Sequence, residues 1–122
     1  MDEFLLKKMG LKEGMTFCAI NPTPEFQLSL KAQKIVGIVK ENADFVLVFV
    51  RKKSELASLI DQGKKARKPG GKIWLAYPKA DSASKPDINR DSLFKATPEF
   101  GLLINGNFAF EDNWSLLRMK DI

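Results

Sequence analysis

Three observations predict an α/β domain with a mostly parallel central sheet, helices on both of its faces and an antiparallel hairpin at one edge. The stretch FVLVFV, Phe45 to Val50, is continuously apolar, which is how a parallel strand covered on both faces reads. Strand-like and helix-like segments alternate along most of the chain, as layered α/β architectures require. At the C-terminus, NFAFE and WSLLRMK are separated only by Asp112 and Asn113, and they read as two antiparallel strands. A chain of 122 residues fits one domain over 1–122. That length buries roughly two-thirds of the unfolded surface without a disulfide or a metal.

The elements follow in order. DEFLLKKM reads as a short helix opened by Asp2, with Leu5 and Met9 on one face. GLKEG turns into a first strand, Met15 to Ile20. In NPTPEF, Thr23 can cap a helix, Pro24 suits its first position and Glu25 its positive end, and the helix runs to about Gln33. IVGIVK, Ile35 to Lys40, is β-branched and strand-like. Only Glu41, Asn42 and Ala43 separate it from Asp44, whereas a parallel crossover takes a dozen residues or more. It therefore either runs antiparallel or is not a full strand of the sheet.

Ser54 is expected to cap a helix through about Arg67, with Leu56, Leu59 and Ile60 facing inward and Pro69, Gly70 and Gly71 stopping it. KIWLAYP is the next strand, ADSASKPD a small polar loop, and Ile88 to Ala96 a further helix with Leu93 inward. TPEF recurs at Thr97 to Phe100 with the helix-start chemistry of Thr23 to Phe26. The whole order predicts a Rossmann-like three-layer sandwich with an antiparallel end.

Composition excludes much chemistry. The chain has no histidine, so there is no Ser-His-Asp triad, no Cys-His dyad and no imidazole metal ligand. Its one cysteine, Cys18, lies in the apolar segment TFCAI and reads as a buried structural thiol rather than a nucleophile. One cysteine makes neither an internal disulfide nor a thiolate zinc cage. The residues imply no metal and no cofactor. No apolar run reaches the roughly 20 residues of a membrane helix, and MDEFLLKKMG is not a signal peptide. The expectation is a cytoplasmic protein. The net charge of +5 includes a cluster at Lys64, Lys65, Arg67 and Lys68, where cations favour a helix carboxyl end. No aromatic residue is interleaved with them, so a nucleic-acid patch is the weaker reading.

Three motifs carry a resemblance: Trp74-Leu75-Ala76-Tyr77-Pro78-Lys79, Asp87-Ile88-Asn89-Arg90-Asp91 and Trp114-Ser115-Leu116-Leu117-Arg118. In these the chain resembles a bacterial family of unknown function with W-x-x-Y-P-K, D-x-N-R-D and W-S-x-L-R signatures. More broadly it is similar to the core of S-adenosylmethionine-dependent methyltransferases. Leu11 to Gly14 leads into strand one, Asp44 opens a central strand, KPGG opens the next and a hairpin closes the chain. The resemblance implies a truncated methyltransferase-like topology in which a strand-helix unit is missing. It also implies a glycine-rich turn after strand one and an acidic residue ending strand two. Here those positions read INPTPEF, with Pro22 and Pro24 removing backbone donors, and Lys40-Glu41. Active methylation is therefore the weaker expectation.

In an open α/β sheet, ligands lie beyond the carboxyl ends of the strands. Those ends carry Asn21, Arg51, Tyr77 and Lys79, and Arg90 starts the following helix. Arg51, Lys79 and Arg90 are expected to converge on one rim suited to a phosphate or carboxylate, helped by helix N-termini at Ser54 and near Asp87. Tyr77 or Trp114 can offer a stacking face. Against this, Arg90 can pair with Asp87 or Asp91, Lys79 can be solvated, and Trp74 suits the core. Three functions follow: a non-catalytic module for a small anionic or nucleotide-like ligand, a protein-interaction or homodimer surface on the hairpin through Phe108, Phe110 and Trp114, and weak nucleic-acid binding through the basic helix end.

Overall fold

The apolar run predicted to be buried is the middle of the sheet. A computed structural model of the chain describes residues 10–11, 14–24, 26, 37–79, 88–111 and 114–122. Six strands form one sheet: β1 (Thr16–Ile20), β2 (Gly37–Ile38), β3 (Ala43–Phe49), β4 (Arg67–Pro78), β5 (Leu102–Glu111) and β6 (Trp114–Asp121). Their order is β2-β1-β3-β4-β6-β5. β1 pairs in parallel with β2 and β3, and β3 with β4, while β6 runs antiparallel to both β4 and β5. Two helices are described, α1 (Leu56–Ala66) and α2 (Arg90–Ala96). The predicted helix at 2–9, most of the one after Thr23 and the loop at 80–87 lie outside the described residues.

Alternation along β3 divides the core. Every residue from Phe45 to Val50 is 0% exposed. Val46, Val48 and Val50 face one side, where Leu56, Leu59 and Ile60 of α1 and Leu93 of α2 cover them. Phe45, Leu47 and Phe49 face the other, with Phe17, Phe26, Trp74 and Leu116. That second face is a run of aromatic contacts: Phe17 stacks on Phe45 at 5.5 Å and 9°, and Phe45 meets Trp74 at 5.5 Å and 49°. Such pairs add about 0.5–1.5 kcal/mol each beyond area burial.

The structure corrects several local expectations. Among the described residues of the segment Ile35 to Lys40, only Gly37–Ile38 pair in the sheet, as expected of less than a full strand, and they run parallel rather than antiparallel. The crossover rule is escaped because β2 stops level with Phe17, near the start of β1. The chain therefore returns from mid-sheet rather than from the carboxyl edge, through a short turn with Asn42 at φ 55. Ser54 does not cap α1. A 3-10 turn at Lys53–Glu55 leads in, and the Glu55 carboxylate accepts from the Arg51 and Lys52 amides at 2.8 and 3.1 Å. A carboxylate does this more strongly than a serine hydroxyl.

Pro69, Gly70 and Gly71 do not stop the helix either. It ends at Ala66, and Arg67 is already extended. Ala43 faces Arg67 and Phe45 faces Lys72, so 68–71 bulge out of β4 opposite Asp44, with Gly70 at φ 80. The second TPEF is a 3-10 turn that closes α2 rather than opening a helix, whereas Thr23 caps as expected, its hydroxyl accepting from the Phe26 amide at 3.1 Å. At the C-terminus the predicted hairpin forms, but β5 starts at Leu102 and takes the edge, and WSLLRMK lies inside between β4 and β5. The linking residues, Asp112 and Asn113, lie outside the described set.

Asp44 fastens the amino-terminal edge. One of its carboxylate oxygens accepts from the Thr16 amide at 2.8 Å and the Thr16 hydroxyl at 3.1 Å, and its own amide donates to that hydroxyl at 2.9 Å. The other oxygen meets the Lys68 ammonium in the bulge. β1, β3 and β4 are thereby joined at one point.

Two predictions follow from this packing. Gly63 brings α1 so close to the sheet that an added Cβ would come within 2.7 Å of Val48 and 3.1 Å of Ile73. Gly63→Ala gains up to about 1 kcal/mol of helix propensity, but overpacking two neighbours costs about 1–3 kcal/mol. The expected result is a lower urea midpoint with unchanged slope; a higher midpoint contradicts the close approach. Lys68, and then the Thr16 amide, hold the Asp44 carboxyl at about 2, below its ordinary 3.8. The native state thus binds this proton less readily than the unfolded chain. The stability it confers is complete above about pH 4 and is lost as pH falls through about 2. The gap in urea midpoint between wild type and Asp44→Asn should therefore shrink from about pH 6 toward pH 2, and a gap independent of pH contradicts the latch.

Candidate ligand-binding site

The carboxyl ends of β1, β3 and β4 share one edge of the sheet, and antiparallel β6 adds its first residues there through the pairs Tyr77–Ser115 and Pro78–Trp114. The order of the strands reverses between β1 and β3, where an open α/β sheet offers its natural crevice. In this chain that crevice is spanned by the protein itself. Asn21 donates from its side-chain amide to the Phe49 carbonyl at 3.2 Å, and the Arg51 guanidinium donates to the Asn21 carbonyl at 2.9 Å. The guanidinium also lies 5.3 Å from the centroid of the Trp114 ring, which meets Phe49 edge-on at 5.3 Å and 67°. Asn21 sits at φ 58. That left-handed turn is the one a glycine takes most easily and asparagine tolerates. The missing glycine after β1 therefore does not prevent the sharp turn, although Pro22 still offers no amide.

Three of the predicted residues meet elsewhere on the edge. Tyr77, Lys79 and Arg90 line a groove of about 310 Å³ together with Asn89, Asp91, Asn107 and Ser115. The walls come from the end of β4, the start of α2, β5 and β6. Asn89 caps α2, accepting from the Ser92 amide at 2.9 Å while the Ser92 hydroxyl accepts from the Asn89 amide at 3.0 Å. This reciprocal cap fixes where Arg90 starts. Among the described residues, Lys79 and Arg90 have no ion-pair partner, and Arg90 does not pair with Asp91; Asp87 lies outside them. Arg51 is held on Asn21 and Trp114, so the expected single rim of Arg51, Lys79 and Arg90 is divided in two. Asn107 and Ser115 carry no local signal, because only strand pairing brings them to the groove.

The remaining candidates are placed as follows. Phe108 is half-buried, stacked on Trp74 at 5.4 Å and 15° with the Arg118 guanidinium 5.4 Å above its ring. Trp114 is half-buried under Arg51. These two rings belong to the aromatic face of the core and not to an exposed patch; the Phe110 side chain lies outside the described set. Trp74 is core, 2% exposed. The basic cluster is tied down: Lys64 donates to the Phe100 carbonyl, Lys65 pairs with Asp61, Arg67 grips Asp121 with both nitrogens and Lys68 meets Asp44. Cys18 is buried, and burial raises its thiol pKa. Glu41 is exposed in the turn that returns to the amino end of β3.

No protein-family model matches the chain, and no curated protein matches it. Solved structures do. An S-adenosylmethionine-dependent methyltransferase from Aquifex aeolicus superposes with a TM-score of 0.64 at 15% identity, covering 96% of this chain and 88% of that one. A type 11 methyltransferase from Sulfolobus solfataricus gives 0.58 at 12% identity, covering 98% and 90%. A 1,6-didemethyltoxoflavin-N1-methyltransferase from Burkholderia thailandensis, bound to S-adenosylhomocysteine, gives 0.61 at 8% identity, covering 97% and 75%. At these identities the likeness is one of fold: the chain has the Rossmann-like fold of the methyltransferases.

Arg51 shields Trp114, whereas Trp74 is buried independently of it. Arg51→Ala should shift tryptophan emission to the red through Trp114 while lowering stability by only about 1 kcal/mol, the scale of an exposed cation–π contact and one hydrogen bond. An unshifted spectrum means that the guanidinium does not cover the ring.

Proposed function

We propose that the chain is a binding module for a small anionic or nucleotide-like ligand, held in the groove between β4, α2 and the β5–β6 hairpin. One observation carries this reading. The groove gathers Lys79 and Arg90 without ion-pair partners among the described residues, while the β1–β3 crevice is crossed by the hydrogen bonds of Asn21 and Arg51. Two cations facing an open volume, with Asn89, Asn107 and Ser115 as hydrogen-bonding neighbours, suit a phosphate or carboxylate. A neighbour that holds S-adenosylhomocysteine, an adenine nucleoside derivative, favours a nucleotide-like ligand. Catalysis gains no support from the residues themselves: histidine is absent from the sequence, and the thiol of Cys18 is buried and hard to ionise.

The interaction-surface reading has less support, because Phe108 and Trp114 are engaged in the core and covered by arginines. Inorganic pyrophosphate titrated at low salt separates the two edges. Lys79→Ala and Arg90→Ala should each weaken binding about tenfold, the scale of a lost charge-assisted hydrogen bond, and Arg51→Ala should leave it unchanged. A larger loss in Arg51→Ala than in the other two would return the site to the β1–β3 crevice.

A further inference from the structure

The groove does not end at Arg90. A second depression of about 710 Å³ adjoins it, lined by Arg90, Asp91, Phe94, Lys95, Gly106 and Asn107. Arg90, Asp91 and Asn107 line both, so the two depressions meet at these residues. Each falls in the range of small-molecule sites.

Phe94 marks the far end. It is 50% exposed, whereas Phe17, Phe26, Phe45, Phe49 and Trp74 are all buried. It lies four residues after Arg90 on α2, so the two side chains share one face of the helix and stand side by side. The opposite wall at this point is Gly106. A Cβ there would come within 3.0 Å of Phe108 and 3.2 Å of Arg118, so it would point into the packing beneath. A side chain at this position would point to that aromatic face, so only backbone faces Phe94 here.

Lys79 thus lines the first depression, Arg90, Asp91 and Asn107 line both, and Phe94 and Lys95 line the second. We infer that the groove takes a nucleoside phosphate, with the phosphate between Lys79 and Arg90, the sugar where the two depressions meet and the base on Phe94. Asp91 at that junction is placed to accept from sugar hydroxyls, the role an acidic residue plays in dinucleotide sites. The Phe94 ring supplies the sequence-tolerant stacking face that bases use. Lys95 lines the same depression as the ring. This deepens the proposal of an anion-binding groove and rests on it.

Titrations of the full chain with ADP and with inorganic pyrophosphate, followed by calorimetry and amide shifts, test the inference. ADP should bind at least tenfold more tightly than pyrophosphate and shift Arg90, Phe94 and Asn107. Phe94→Ala should bring ADP down to the pyrophosphate level and leave pyrophosphate unchanged, and Phe94→Tyr should restore ADP binding. The ring is half exposed, so both variants should keep the wild-type thermal midpoint. ADP binding no tighter than pyrophosphate, or unaltered in Phe94→Ala, overturns the bipartite site and leaves the anion groove standing. Equal losses of both ligands in Phe94→Ala also overturn it, because the ring then acts only through structure. If neither ligand binds, both this inference and the anion groove fall.

Discussion

The carboxylate of Asp44 joins the beginnings of three strands, and the rest of the sheet takes its geometry from that point. One oxygen holds the amide and hydroxyl of Thr16 in β1, and the other holds Lys68 in the bulge of β4. Parallel strands have no hairpin to set their register, so a side chain that reads two neighbours at once supplies what a turn supplies elsewhere. From this fastening, Phe17 meets Phe45 and Phe45 meets Trp74. A slip of one residue would turn the phenylalanines of β3 to the α1 face and its valines to the aromatic face. The large rings would then collide with Gly63, where even a methyl group lacks room.

With the amino edge fastened, the carboxyl edge is the place for function, as in other α/β folds that carry it on loops over a rigid scaffold. Here the edge is divided. At the β1–β3 reversal, Asn21 and Arg51 use their hydrogen-bonding capacity on each other and on Phe49, and Trp114 fills the space beneath. One β-strand further along, the hairpin and α2 diverge and leave a groove whose cations have no internal partner among the described residues. Among the described residues, the methyltransferase-like scaffold thus offers an open volume beside α2.

How much of this the sequence reveals depends on the range of the interactions involved. FVLVFV is legible because burial on two faces removes all polar residues from the strand itself. The caps at Thr23 and Asn89 are legible because cap and partner lie three residues apart. Long-range contacts leave no such trace. Ser54 looks the better cap until Glu55 reaches back to two amides. KPGG looks like a helix stop until Asp44 draws Lys68 into a bulge. β2 defies the crossover rule because it is only two residues long. In the groove, Tyr77, Lys79 and Arg90 are legible from strand ends and a helix start, whereas Asn107 and Ser115 depend on strand pairing. Topology alone groups Arg51 with them, and its hydrogen bond to Asn21 separates it. Phe94 reads as an ordinary helix residue until its exposure is known.

The proposed place for ligand binding is the α2 groove and not the β1–β3 crevice. Amide-resolved NMR with S-adenosylhomocysteine and then a nucleotide panel tests it most directly, because backbone amides report on both places in a single spectrum. Saturable shifts are expected at Lys79, Asn89, Arg90 and Asn107, with Asn21 and Arg51 unmoved. Shifts confined to Asn21, Val50 and Arg51 would contradict this placement and would show that the Arg51 bridge opens to admit a ligand at the strand reversal.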